Sequence, residues 1–207
     1  MRTCRRISAV WTTSHYAMAV IGALVVAALP AFATFAGANG RIAYTRVSGD
    51  PMLGYTSVIF AAGSGQLTHP PAGMYDSEPA WSADGSQLAF VRTTGTSPYA
   101  TSKASIEIIN QDGSGERTLI SSDTLDGFLG ESGTPEFNTP TWSLDGKYLA
   151  FVYYTSVPGS GGTIANLYGG LYRINVDGSE LQLMTNSRFL LTPRFSSRGD
   201  LAVGMPH

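Results

Sequence analysis

A thirteen-residue phrase that occurs twice constrains this chain more than any other feature of its sequence. Residues 79–91 read Pro-Ala-Trp-Ser-Ala-Asp-Gly-Ser-Gln-Leu-Ala-Phe-Val, and residues 140–152 read Pro-Thr-Trp-Ser-Leu-Asp-Gly-Lys-Tyr-Leu-Ala-Phe-Val. A third, less regular copy covers residues 193–203. Self-similarity of this kind is typical of repeat architectures, in which each copy forms one structural unit.

Each phrase predicts a strand, a turn and a second strand. Pro79 cannot donate to a sheet ladder and fits the start of a strand, while Trp81 supplies a large aromatic for a buried layer. The pair Asp84-Gly85 predicts a hairpin turn in which glycine adopts a positive φ. Residues 87–92 alternate and are rich in β-forming side chains, as expected for a return strand.

A second pair of matching segments completes the unit. Residues 106–119 and 171–183 each place two β-rich runs around an Asp-Gly turn, at 112–113 and at 177–178. Each unit is therefore predicted to be four antiparallel strands in meander order. Such units in tandem are the blades of a β-propeller.

The whole pattern resembles the TolB-like, WD-like β-propeller repeat. The resemblance rests on three features: the motif Trp-Ser-x-Asp-Gly-x-x-Leu-Ala-Phe, a strand ending in Asp-Gly, and a Leu-Thr-like strand. Together these features cover nearly all of residues 40–203. The resemblance implies an all-β fold. Residues 41–68 match only the last three strands of a blade, and residues 193–203 only the first two, so the sequence predicts about three blades of an incomplete propeller.

Propellers close with typically four to eight blades, so the chain has too few blades to close. There are three explanations for this low number of blades. The chain is interpreted first as a fragment of a longer propeller. The alternatives are assembly with other copies of itself through the unpaired blades, and a decayed gene product.

The N-terminal residues have the pattern of a secretory signal helix. Three arginines by position 6 precede an apolar run at 17–29 and small-x-small cleavage motifs at 31–33 and 36–38. We therefore predict a signal peptide over residues 1–38 and a partial TolB-like propeller over residues 39–207, periplasmic or secreted. A retained membrane anchor is the alternative, because about 20 apolar residues can cross a bilayer.

Charge and cysteine content limit the function classes. Without the leader the chain keeps ten basic and fifteen acidic side chains, a net charge of −5, which argues against a nucleic-acid partner. The single cysteine, Cys4, lies in the leader. Disulfides and thiol chemistry are therefore not expected in the exported part.

Signatures of catalysis and cofactor binding are weak. The chain has no Gly-x-Ser-x-Gly nucleophile elbow, and a Ser-His-Asp arrangement would have to use His69, which reads as part of a linker between blades. The glycine-rich stretch 159–162 lacks the lysine of a phosphate loop. Asp123, Asp126 and Glu131 are close in sequence but lack calcium-loop spacing, and we interpret them as solvated. No catalytic, cofactor-binding or metal residue is predicted.

The repeats differ from ordinary blades in length. Trp81 and Trp142 are 61 positions apart, whereas a blade repeat is usually about 40 to 45 residues. The surplus is predicted to be insertions over 93–105 and 155–170 and a longer link over 121–138. Long loops on a rigid scaffold are frequent binding sites. Five tyrosines lie in or beside the two insertions, and about half of them are expected to face the core: Tyr99, Tyr153, Tyr154, Tyr168 and Tyr172.

These observations predict an exported, non-catalytic scaffold that binds a protein partner, without assigning the contact residues. The family resemblance implies a periplasmic location and protein partners, among them an outer-membrane lipoprotein. The alternative is the propeller portion of a prolyl-oligopeptidase-like serine hydrolase whose catalytic domain lies elsewhere. Binding of a sugar or polymer at the propeller face is a third, weaker hypothesis.

Overall fold

The computed structural model describes residues 42–50, 54–97, 100–130, 133–157, 166–186, 192–196 and 198–204. The predicted signal segment, residues 1–38, lies outside these ranges. Strands dominate the described part and form antiparallel sheets. The prediction of an all-β fold is therefore confirmed.

The elements follow one another in chain order as β1 (Ala43–Asp50), β2 (Gly54–Ala61), β3 (Gly65–Gln66), β4 (Met74–Trp81), β5 (Gln87–Ser97), β6 (Ala100–Asn110), β7 (Arg117–Ser121), α1 (Ser122–Leu129), β8 (Thr134–Trp142), β9 (Tyr148–Val157), β10 (Asn166–Asn175), β11 (Gln182–Thr185), β12 (Thr192–Phe195) and β13 (Leu201–Gly204).

The strands form four sheets in sequence order. The first sheet is β1-β2-β3, the second β4-β5-β6-β7, the third β8-β9-β10-β11 and the fourth β12-β13. The two middle sheets are four-stranded antiparallel meanders, as predicted for blades. The first and last sheets of the described part hold three strands and two, which agrees with the prediction of incomplete blades.

The opening strand of each full sheet is longer than predicted and contains a bulge. The register of β4 against β5 shifts between Ser77 and Ala80, and Glu78 there has φ 53°. Pro79 was expected to start the strand but lies inside it. A bulge leaves a residue out of the ladder, so the missing N–H of proline is tolerated at this point. In β8 the same shift lies at Thr139, whose φ is 49°.

The Asp-Gly turns are closed by serine as well as by glycine. Ser82 Oγ donates to Asp84 Oδ1 at 2.7 Å and accepts from the Gln87 N–H at 3.0 Å. Gly85 has φ 71°, as predicted for the turn. Ser143 and Asp145 repeat the first bond at 2.7 Å in the third sheet. The Ser-x-Asp-Gly part of the phrase is therefore a turn motif.

The predicted insertions are largely strand. β5 and β6 both run eleven residues and stay paired as far as Ser97 and Ala100, so most of residues 93–105 extends a hairpin. β9 likewise continues to Val157 and pairs with β10 from Asn166. Threonine-rich and valine-rich sequence lets the ladder continue where a loop was predicted. Residues 98–99 and 158–165 lie outside the described residues.

The link between the full sheets contains a helix that sequence reasoning missed. Ser121 caps α1 by accepting from the Thr124 N–H, and Gly130 ends it at φ 73°. A polar cap and a terminal glycine are the usual helix boundaries, and both were visible in the sequence. Leu125 anchors α1, since its side chain is fully buried in the core between the full sheets.

Each opening strand places one aromatic side chain against the preceding sheet. Trp81 packs on the cluster of Ile59 in the first sheet, Trp142 joins the cluster of Ile106 in the second, and Phe195 packs on Val152 in the third. Full burial of a large apolar side chain is worth about 1.5–3 kcal/mol; Trp142 and Phe195 are buried and Trp81 is partly buried. These aromatic residues therefore hold neighbouring sheets together.

Candidate functional site

A polar cleft lies where the linker before β4 passes the outer part of the second sheet. Its volume is about 540 Å³, and its lining includes Pro71, Met74, Arg92, Glu107, Glu116 and Thr118. Charged residues lie on β5 and β6 and just before β7. Such side chains are rarely buried without a partner, so the way each is satisfied determines what the cleft can bind.

Arg92 is the central charge of this cleft. Its Nε lies 2.7 Å from Oδ1 of Asp76 and its Nη2 3.0 Å from Oδ2, so the two side chains form a bidentate pair. Arg92 Nη1 also pairs with Glu116. The Asp76 side chain is fully buried and only 10% of the Arg92 side chain is exposed. Bidentate pairs of this kind fix the guanidinium plane as well as its charge.

The protonation state of Arg92 is secured by its partners. Burial on its own lowers the pKa of the guanidinium, but the hydrogen bonds donated to Asp76 and Glu116 outweigh burial and raise the pKa above its ordinary value. Arg92 is therefore charged over the physiological pH range. Its two carboxylate partners fix its orientation, and it has no capacity to transfer protons.

Glu107 is the second buried charge at the cleft. It is only 5% exposed, and its Oε1 accepts from the Ser105 hydroxyl at 2.6 Å and from the Thr118 hydroxyl at 3.0 Å. These bonds hold the carboxylate in one orientation across β6 and β7. The lining of the cleft thus includes a carboxylate and a guanidinium that are each held in one orientation.

Comparison of the two repeat copies would have revealed this site. Asp76 pairs across the strands with Arg92, and Glu107 with Phe90. At the equivalent positions the third sheet holds an aromatic cluster instead, composed of Phe137, Tyr153 and Tyr172. Positions at which the two copies hold the same residues are those that build the blade. Positions at which one copy holds charged residues and the other holds aromatic residues identify the cleft.

The residues considered for catalysis and metal binding lie apart. His69 is exposed in the linker after β3 and makes no hydrogen bond to a described residue. Asp123 pairs with Lys103 at the surface, 2.7 Å away, whereas Asp126 accepts from the Tyr153 hydroxyl. Glu131 lies outside the described residues. Within the described ranges no three His, Cys, Asp or Glu side chains are placed to share a metal.

The tyrosines near the insertions are mostly structural. Tyr153, Tyr154 and Tyr172 are buried, and Tyr168 is half-buried. Burial, followed by the bond to Asp126, raises the pKa of the Tyr153 hydroxyl far above its ordinary value. Burial likewise raises the pKa of Tyr172 to about 12. Tyr99 lies outside the described residues.

The helices of the described part give no sign of a membrane span: the eight-residue α1 is too short, and no longer apolar helix is found there.

Comparison with known proteins supports the fold. No family model and no curated protein sequence matches the chain. A solved acylaminoacyl peptidase, in complex with Z-Gly-Gly-Phe-chloromethyl ketone, matches 82% of the chain with 16% identity and a TM-score of 0.52. TolB from Acinetobacter baumannii matches 76% with 18% identity and a TM-score of 0.47. At such identity the likeness to the peptidase concerns the fold alone.

The chain is short beside these proteins. It spans 27% of the peptidase chain and 34% of the TolB chain.

Proposed function

We propose that this protein is an exported, non-catalytic β-propeller scaffold that binds a protein partner at the Arg92 cleft. The observation that carries the proposal is the set of oriented charged groups that line the cleft: Arg92, held by Asp76 and Glu116, and Glu107, held by Ser105 and Thr118. Fixed charges lose little entropy when a partner binds, which favours recognition.

The surroundings of the cleft support a macromolecular partner. Glu116, Arg117 and Thr118 form an exposed rim, and Pro71 and Met74 supply apolar contact surface. Interfaces combine an apolar centre with a polar rim, and arginine is enriched in them. The long β5–β6 hairpin adds surface beside this cleft.

Site-specific photo-crosslinking in the full-length chain tests the proposal. A photoreactive residue at Thr118, on the rim of the cleft, is expected to capture one defined envelope or extracellular protein. The matched control is Gln111, which is exposed on the turn after β6 and does not line the cleft. Equal capture from both positions, or none from Thr118, would contradict binding at the cleft. Recovery of the chain only in the cytoplasm would contradict export.

A second candidate function is the propeller portion of a serine hydrolase. The fold likeness to an acylaminoacyl peptidase favours it, because the chain matches about a quarter of that protein. The gene sequence that follows His207 discriminates between the two. A Gly-x-Ser-x-Gly motif within an α/β pattern would favour the hydrolase, and further blades would favour the scaffold.

A further inference from the structure

The first sheet differs from the others in its opening strand. In the other three sheets the first strand, β4, β8 or β12, leads through a tight turn into the next. Residues 42–44, Ile-Ala-Tyr, instead match the Leu-Ala-Phe with which β5 and β9 proceed after that turn. β1 is therefore the second strand of its blade. Its outer edge pairs with no described strand.

Side chains beside this edge are exposed where their counterparts are buried. Leu88 and Phe90 of β5 are both 0% exposed, and the same positions of β9 are equally buried. Ile42 and Tyr44, which occupy these positions in the first sheet, are 69% and 47% exposed. In β5 this pair is covered by the preceding sheet and by Trp81 of the opening strand, and β1 has neither of these two covers among the described residues.

The indole N–H of Trp81 indicates independently that the first sheet has an opening strand. Trp142 Nε1 donates to the backbone carbonyl of Ala80, 2.9 Å away, and Ala80 belongs to the opening strand of the preceding sheet. Trp81 is the equivalent residue one sheet earlier. Its Nε1 is buried and has no hydrogen-bond partner among the described residues. Buried donors are nearly always paired, and here the acceptor would come from an opening strand of the first sheet.

The chain itself carries a suitable segment directly before β1, outside the described residues. Trp81 and Leu88 face each other across their hairpin, seven positions apart. Phe35 precedes Ile42 by the same seven positions. Asn39 and Gly40 lie between them, and both residue types tolerate the positive φ of a hairpin turn. On this alignment Thr34 takes the place of Ala80.

We propose that residues 34–36 add to β1 as the antiparallel opening strand of the first sheet, with residues 37–40 as the turn. Phe35 then lies beside Ile42 and covers part of the exposed apolar pair of β1, and the Thr34 carbonyl accepts the Trp81 indole N–H. The propeller starts at residue 34 instead of 39.

The proposal predicts which of the two cleavage motifs, 31–33 or 36–38, is used. A cut after Ala33 retains the strand and a cut after Ala38 removes it, so a processed chain is expected to begin at Thr34.

The covalent connection favours this occupant over a second copy or another protein. A turn of four residues keeps the segment beside β1 at a high effective concentration, and closing so short a loop costs little entropy. A strand from another molecule would also lose its translational and rotational freedom on binding.

Disulfide trapping in the full-length chain tests the pairing. Thr34 and Ala43 take the places of the paired residues Ala80 and Ala89. In a Cys4→Ser background, Thr34→Cys with Ala43→Cys is expected to form an intramolecular disulfide in high yield under mild oxidation. The matched control combines Thr34→Cys with Tyr44→Cys, because neighbouring residues of a strand point to opposite faces. Equal yields in the two variants, or a disulfide that links two chains, would overturn the proposal.

Tryptophan substitution gives a second, independent readout. With the strand in place, Trp81→Phe and Trp142→Phe each remove a paired indole donor, so both are expected to lower Tm by similar amounts. If no strand pairs with β1, Trp81→Phe removes an unpaired donor and its effect on Tm is much the smaller. Phe35→Ala should lower Tm by about 2–4 °C, because no described sheet lies in front of it and its partial burial is worth about 1 kcal/mol, while Phe32→Ala should leave Tm unchanged. A smaller effect of Trp81→Phe, a neutral Phe35→Ala or a mature chain beginning at Asn39 would overturn the proposal.

Discussion

The two full sheets have the same strand order, and they differ in the side chains at a few equivalent positions. The second sheet holds the Asp76–Arg92 ion pair where the third sheet holds Phe137 and Tyr153. Aromatic side chains on this face pack against the sheet before them. The charged set instead faces a cleft, because the first sheet is short and leaves part of the surface open.

Loss of Arg92 should destabilise the protein far more than loss of a surface pair. Arg92→Met leaves the fully buried Asp76 without its counter-charge, and breaking such a pair costs about 3–5 kcal/mol. Lys103→Met is the control, because its pair with Asp123 is exposed and is worth less than about 1 kcal/mol. Urea unfolding measures both free energies of unfolding. Equal losses would show that Arg92 is not held as described.

Tyr172 should make stability fall at alkaline pH. Burial raises its pKa to about 12 in the folded chain, against about 10 for an unfolded tyrosine. The folded state therefore favours the neutral phenol, and this contribution is complete below pH 10 and is lost as pH rises towards 12. Urea unfolding at pH 9, 10 and 11 is expected to show the loss.

The Tyr172→Phe variant is the control for this pH dependence. It should lose less stability over the alkaline range. At neutral pH the substitution should leave stability unchanged or raise it, because the Tyr172 hydroxyl is buried without a hydrogen-bond partner in the part of the chain that the structure describes. A steeper alkaline loss in the variant would contradict the assignment.

At the scale of elements, the hairpin turns depend on a serine and an aspartate acting together. The hydrogen bond from Ser143 lowers the pKa of Asp145, and the Lys147 N–H lowers it further. Stability from this bond is present above the ordinary carboxyl pKa, near 3.9, and is lost as pH falls through the lowered value.

Ser143→Ala should raise the pKa of Asp145 towards its ordinary value. The lost hydrogen bonds should also cost about 0.5–1.5 kcal/mol of stability at pH 7. NMR titration of the carboxyl groups and urea unfolding check the two effects. Ser64→Ala, at an exposed turn in the first sheet, should change neither, and an unchanged Asp145 pKa in Ser143→Ala would refute the turn mechanism.

The elements also show where sequence reasoning succeeds and where it stops. Strand pairs around Asp-Gly were predictable because turn chemistry and alternation are local. The inner extension of β4 was not, since the bulge at Glu78 conceals the alternation. The α1 helix was missed although its Ser121 cap and terminal Gly130 are local signals. The charged cleft was missed because its residues come from all four strands of the second sheet, which meet only in the fold.

At the scale of the whole molecule, burial differs between the middle and the outer sheets. The strands β5, β6, β9 and β10 contain most of the fully buried residues, whereas β1 exposes Tyr44 and Val47. Hydrogen exchange should therefore be slowest in these four central strands and faster in β3 and β11, which are short edge strands. Exchange mass spectrometry on the native protein measures this order. Uniform protection across all sheets would contradict it.

The aromatic side chains of the three described opening strands pack backwards, onto the sheet that precedes each of them in sequence. Trp81, Trp142 and Phe195 all obey this rule, so the succession of sheets has a polarity and its two terminal surfaces are unlike. Copies that associated through these surfaces would join head to tail. Such a contact is heterologous. It generates open filaments or closed rings, and the smallest ring holds two copies related by a two-fold axis.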